Sequence, residues 1–250
     1  DEIIEFSPEG EVLWRWDTFD HLDTERRRTG IEIAIPDPRA NDPENVFGFD
    51  WTHGNGMVYE PETDSLLISL RHQDWLVRVD HKTGEVVWRL GEDGDFDLEE
   101  GRWFFHQHSP QWQADGSLLL YDNGVDNPNI EPEEVRTRAV RYEIDEASMT
   151  VRQVWEDDEE PFVSALAGDA DCGCTIVSYS NAAQLDLFYE DGSVAELELE
   201  AAAAALEQQR ARCAEGNGGD GRAYDQAVGR VLVAPDVVLP GEVVPIDEHA

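Results

Sequence analysis

The chain has 250 residues, 40% of them hydrophobic, enough to bury a sizeable core as one large domain or two small ones. Its 18 basic against 56 acidic residues leave a formal charge of -38, a field that repels a phosphate backbone and excludes nucleic acid as a partner. No apolar run approaches the roughly 20 residues of a spanning helix, and no basic-then-apolar leader opens the chain, so no membrane span is expected.

In chain order, the first element is a hairpin over residues 5–14, two short strands around Pro8-Glu9-Gly10 that close on Trp14. A long connection rich in Asp, Glu, Pro and Gly follows over 17–50, the kind that in a compact fold forms a lid or a mobile segment. Its Arg26-Arg27-Arg28 run reads as a solvated turn. Strands are then predicted at 56–59 and 65–69, leading into a second hairpin over 78–88 that closes on Trp88. After another polar loop at 92–104 the pattern returns: strands at 108–112 and 117–121, then a hairpin over 141–155 closing on Trp155. It returns once more as 163–166, 175–179 and a hairpin around 187–194. The Ala201–Arg212 stretch reads as a short helix by propensity, ended by Gly216–Gly221, and the Val- and Pro-rich residues 228–246 supply at most an edge strand.

Four strands, an excursion, then four more strands is the signature of β-propeller blades. The expected fold is therefore all-β, a β-propeller over residues 1–200 with a short C-terminal helix and irregular tail over 201–250. About three complete blades are legible, fewer than the 4–8 of a closed ring, so an incomplete or N-terminally truncated ring is expected. Asp1 is not an initiator methionine, in keeping with a processed product or a fragment. Lysine is nearly absent and the acids are scattered, which reads as a heavily hydrated surface suited to a salty medium. Cys172 and Cys174 are too close for a comfortable ring, so a bond from one of them to Cys213 is preferred if the compartment is oxidising.

Chemistry concentrates in three clusters where one repeat meets the next: Trp51-Thr52-His53-Gly54-Asn55, Ser69-Leu70-Arg71-His72-Gln73 and Phe105-His106-Gln107-His108-Ser109. In a propeller the innermost strand of each blade lines a central channel. His53 precedes such a strand, Arg71 follows the second strand of that blade, and His108 begins the inner strand of the next. Guanidinium grips two oxygens at once, and imidazole adds a donor or a nucleophilic nitrogen, a combination suited to a sulfate or phosphate ester. His106 and His108 on one side of an extended segment permit a metal pair, but no carboxylate motif completes a ligand set, so neither metal nor cofactor is expected. His72 should point away from Arg71 and serve structure.

Trp51 through Gly56, Asp64 through Gln73, Val87-Trp88-Arg89-Leu90-Gly91, Gln107-His108, Tyr121-Asp122-Asn123-Gly124, and Arg138 through Asp145 with Gln153-Val154-Trp155 together resemble the bacterial and archaeal arylsulfate sulfotransferases that use no nucleotide donor. The resemblance covers residues 1 to about 180. It implies a six-bladed propeller in which a histidine is transiently sulfated by an aryl sulfate donor and passes the group to a phenolic acceptor. By motif match His108 is the nucleophile, and His53 and Arg71 hold the sulfuryl oxygens. Asn55, His106, Trp51, Phe105 and Asn123 make up the expected substrate-binding set, with the aromatic moiety against Trp51, Trp103, Phe104 or Phe105. The resemblance also implies a periplasmic or extracellular protein and a further active-site histidine on an earlier blade, for which His21, in an outer loop, is a poor substitute. The competing expectation is a non-catalytic propeller fragment that binds small anions or a protein partner; a weaker one is phosphate-ester hydrolysis.

Overall fold

The structure is a computed structural model that describes residues 1–26, 34–36, 47–157, 163, 169–171, 175–179, 184–188 and 194–197. By internal contacts the chain divides into Asp1–Asn217 and Gly218–Ala250, and every described residue lies in the first unit. The expected C-terminal helix, the edge strand of the tail and all three cysteines fall outside the described residues.

Strands β1 (Glu2–Phe6) and β2 (Val12–Asp17) form the first hairpin, and a single helical turn, α1 (Thr18–His21), follows with the Asp17 carboxylate accepting from Phe19 N–H at 3.0 Å. Inside the connection read as a loop, β3 (Ala34–Pro36) and β4 (Phe47–Phe49) pair as a small hairpin that the composition did not announce. An antiparallel meander then runs β5 (Gly54–Glu60), β6 (Ser65–Leu70), β7 (Trp75–Asp80) and β8 (Val86–Leu90). A short strand, β9 (Asp97–Glu100), lies parallel to β13 (Thr150–Glu156), the last strand of the next meander. That meander begins with β10 (His108–Trp112), β11 (Leu118–Asp122) and β12 (Arg138–Asp145). The last meander comprises β14 (Asp169–Asp171), β15 (Thr175–Tyr179), β16 (Gln184–Phe188) and β17 (Val194–Leu197). The fold is mostly β-sheet with almost no helix, as expected, and each predicted hairpin is present. The last meander begins, among the described residues, at Asp169–Asp171, and residues 164–166 of the strand predicted at 163–166 lie outside the described residues. No ring closes among the described residues.

The central strands are nearly continuous apolar runs, and the period of two explains why. Leu66, Ile68 and Leu70 pack with Trp16 of β2, whereas Leu67 on the opposite face joins Leu118, Leu120 and Val140 of the following meander. Leu119 and Tyr121 face the other way again, against Ala170 of β14. The meanders therefore pack face to face in chain order, and strands buried on both sides cannot alternate with polar residues. Each fully buried large apolar side chain contributes about 1.5–3 kcal/mol. The inner strands also meet: β10 packs against β5 and against β14. At Gly56 an added Cβ would come 3.0 Å from Pro110, so glycine is what lets β5 and β10 approach this closely.

One buried ion pair governs the segment around His108. Arg138, fully buried, donates from Nε to Asp122 Oδ2 at 2.8 Å, while Asp122 Oδ1 accepts from Phe105 N–H and Gly124 N–H, both at 2.9 Å. The other Arg138 donors are taken up by Gln153, Glu156 and the Arg102 carbonyl. Arg138→Met is expected to cost about 3–5 kcal/mol, because Asp122 would be left charged and buried without its cation. Urea unfolding of the variant measures this; a loss under about 1 kcal/mol would show that the pair is not holding the segment. Read from the sequence, Arg26 was a solvated turn residue. In the structure its guanidinium lies 3.7 Å over the Trp75 ring and donates to the Gln73 carbonyl and Oε1 at 2.8 Å, since a planar cation can stack and hydrogen-bond at once.

Candidate functional site

Ladder pairing beyond the formal ends of β5 and β6 assembles the first half of the site. Arg71 N–H donates to the His53 carbonyl and His72 N–H to the Thr52 carbonyl, both at 3.1 Å, so His53, Arg71 and His72 sit side by side. The second half is tied on by the chain before β10: His106 N–H donates to Asp74 Oδ1 at 2.7 Å, and Gln107 Nε2 to Ser69 Oγ at 3.1 Å and the Trp75 carbonyl at 2.9 Å. Asn55 Nδ2 closes the connection by donating to the Gln107 carbonyl at 2.8 Å.

The backbone here is unusual. His53, Asp74, His106 and Ser109 all have positive φ, near 50°, a region L-residues other than Asn and Asp seldom occupy. Register also slips in β5 between Gly54 and Gly56 and in β10 between His108 and Gln111. Bulges and left-handed residues re-aim side chains, and their concentration on two neighbouring strand ends points to a site.

Three imidazoles are held in the same tautomer. His108 Nδ1–H donates to Asn123 Oδ1 at 2.6 Å, His72 Nδ1–H to the Asp50 carbonyl at 2.5 Å, and His53 Nδ1–H to Asp50 Oδ2. In each neutral ring the lone pair is thereby left on Nε2. Asn123 is itself fixed by the turn that Gly124 makes at φ 69°, where an added Cβ would strike the Arg136 carbonyl at 2.3 Å. The rings form a row: His53 to His72 at 4.6 Å between centroids, His72 to His106 at 5.6 Å. His72, expected to point away, is thus the middle member of the cluster, because Arg71–Gln73 is a tight 3₁₀ turn rather than an extended strand.

Arg71 is buried, and that burial holds its pKa below the usual arginine value although Asp74, Asp126 and Asp50 favour its charge. Burial pushes His108 down to about 4, with Arg71 and His53 adding to the push, and pushes His106 down to about 3. His108 is therefore neutral near pH 7. Both rings bind protons less readily folded than unfolded, so stability is full above about pH 6.5 and falls as the pH drops toward 4 and then 3. Urea midpoints measured between pH 7 and pH 4.5 should decline, and decline less in a His106→Gln/His108→Gln double variant; equal slopes would contradict the assignment.

Among the other expected substrate-binding residues, Trp51 stacks on Phe19 at 5.2 Å and donates from Nε1 to the Arg26 carbonyl at 3.0 Å. Phe105 is buried, and the Asn123 side-chain oxygen is occupied by His108. Sequence reading missed Asp50, Asp74 and Asp126, although Asp50 stands three residues before His53 in the same cluster. Asp50, His53 and His72 also bring three metal-type donor atoms within 4.8 Å of one another, although both rings already spend Nδ1 on Asp50.

A family model described as arylsulfotransferase (ASST) matches residues 1–211. The chain is 26% identical to arylsulfate sulfotransferase AssT of Escherichia coli O6:H1 (strain CFT073), over 64% of this chain and 35% of that protein. It is 23% identical to arylsulfate sulfotransferase AssT of Lelliottia amnigena, with the same shares, 64% and 35%. The chain thus spans about a third of the length of the curated relatives it matches.

Proposed function

Because this chain belongs to the arylsulfotransferase family, we propose that it moves a sulfuryl group from an aryl sulfate ester to a phenolic acceptor through a transient sulfohistidine at His108. The observation that carries the reading is the state of His108: neutral at pH 7 through burial, with Nδ1–H bound to Asn123 and the lone pair on Nε2. That is the form of imidazole able to attack sulfur. In the first half-reaction Nε2 bonds to sulfur as the S–O bond to the aryl group breaks; in the second, a phenol oxygen displaces the ring nitrogen. Arg71 stabilises the negative charge that spreads over the peripheral sulfuryl oxygens in both transition states, and fixed cationic donors of this kind lower the barrier more than they tighten ground-state binding. In this reading His108 and Arg71 carry the transfer itself, which calls on no metal or nucleotide.

In this reading the successive four-stranded meanders are propeller blades, and the site lies at the ends of their inner strands. An extracytoplasmic location, and an acidic surface that keeps its hydration in concentrated salt, belong to the same proposal. The test is incubation with 4-nitrophenyl sulfate and phenol, following 4-nitrophenol release, together with mass spectrometry of the protein after donor alone. Release with a sulfated His108 peptide supports the proposal. Binding of donor without release or sulfation would leave a non-catalytic anion-binding protein, and release only from 4-nitrophenyl phosphate would make it a phosphate-ester hydrolase.

A further inference from the structure

The residue that nothing in the sequence reading singled out is Asp50, and it holds two histidines at once. Its carboxylate Oδ2 accepts from His53 Nδ1–H, and its main-chain carbonyl accepts from His72 Nδ1–H at 2.5 Å. Its carboxylate also lies 3.7 Å from His72 Nδ1. His72 is buried and its ring lies tilted by 36° against that of His53, 4.6 Å between centroids, so the His53 ring is held at Nδ1 by Asp50 and packed alongside His72. His53 itself is half exposed, with 43% of its side chain accessible, and its Nε2 has no hydrogen-bond partner among the described residues. An imidazole with a carboxylate on Nδ1 and an open Nε2 is arranged to pass one proton back and forth, because the carboxylate fixes the ring and stabilises it while it carries the extra proton.

On the sulfuryl-transfer reading above, we infer that Asp50 is a positioning residue that makes His53 the proton shuttle of the reaction. As His108 Nε2 bonds to sulfur and the S–O bond breaks, the electron pair left on the aryl oxygen takes a proton from Nε2 of His53, which enters this step as the imidazolium paired with the Asp50 carboxylate. His53 becomes neutral and keeps its Nδ1–H on Asp50. When the acceptor arrives, its O–H proton moves to His53 Nε2 as its oxygen bonds to sulfur, and the N–S pair returns to His108. The proton lent in the first half is recovered in the second, so atoms and charge balance over the cycle. Arg71, at the neighbouring position, is left to the peripheral oxygens.

The dependence on leaving group separates this role from a structural one. A 4-nitrophenolate departs without a proton, whereas phenolate needs one. In the first half-reaction, followed as a single turnover without acceptor, Asp50→Asn should slow phenol release from phenyl sulfate by about 10²-fold or more while slowing 4-nitrophenolate release by less than about tenfold. His53→Gln should show the same selective loss, and the double variant no further loss, since the two act as a unit. Equal loss with both donors, in either variant, or additive losses in the double, would overturn the assignment while leaving sulfuryl transfer intact. A wild-type protein that releases nothing from 4-nitrophenyl sulfate would remove the reaction itself, and this role with it.

Discussion

His108→Ala is expected to abolish 4-nitrophenol release, with a loss in kcat of at least about 10⁴-fold, the scale on which removal of a covalent nucleophile is felt. Alanine removes the Nε2 lone pair, and among the described residues no other imidazole donates Nδ1–H to Asn123. His106 is buried, with its Nδ1 unpartnered and 3.9 Å from Asp126, and lacks the partner that sets the His108 tautomer. The substitution also removes the His108 donor to the buried Asn123 Oδ1, but the space vacated by the half-buried imidazole admits water to that oxygen, so the fold should survive; thermal melting and the sulfated-peptide assay distinguish chemical loss from unfolding. Residual activity within tenfold of wild type would remove His108 from the mechanism. The pH profile gives an independent reading. With His108 pushed down to about 4, the acid limb of kcat/KM should fall near pH 4 instead of near 6.5, because protonation consumes the attacking lone pair.

The second large effect is expected at Arg71. Arg71→Met should lower kcat by about 10²–10³-fold, comparable to removing one preformed donor from an oxyanion site, with a smaller change in KM. Its position explains why lysine should not substitute fully. The guanidinium is buried, the Asp74, Asp126 and Asp50 carboxylates offset only part of the cost of that burial to its charge, and a guanidinium fork matches two oxygens of a tetrahedral anion. Lysine supplies a point charge without that fork, so Arg71→Lys should recover only part of the loss. A variant whose KM rises while kcat is unchanged would assign Arg71 to ground-state binding alone.

Much of the fold was legible because strand pairing leaves a local trace. Alternation and turn residues announced the hairpins at 5–14, 78–88 and 141–155, and the apolar runs Leu66-Leu67-Ile68 and Leu118-Leu119-Leu120 marked the strands at 65–69 and 117–121, although only the packing shows them covered on both faces. The small hairpin at β3 and β4 escaped notice because each strand is only three residues long inside a connection rich in Asp, Glu and Pro, and β9 because it carries no apolar pattern: it reads Asp97-Leu98-Glu99-Glu100 and is held by its ladder to β13.

The candidate site divides along the same line. Residue types at repeat junctions mark His53, Arg71 and His108 as candidates, because imidazole and guanidinium state their chemistry wherever they stand. What each nitrogen is free to do was decided only in three dimensions. The Asn123 oxygen on His108, the Asp50 oxygens on His53 and His72, the left-handed backbone at His53 and His106 and the burial that keeps His108 neutral all come from groups distant in sequence or from geometry with no periodic signature. Sequence alone determined which functional groups this chain possesses and that it would build successive sheets. The tertiary structure decided protonation, tautomer and orientation, because desolvation and hydrogen bonding depend on what surrounds an atom in space.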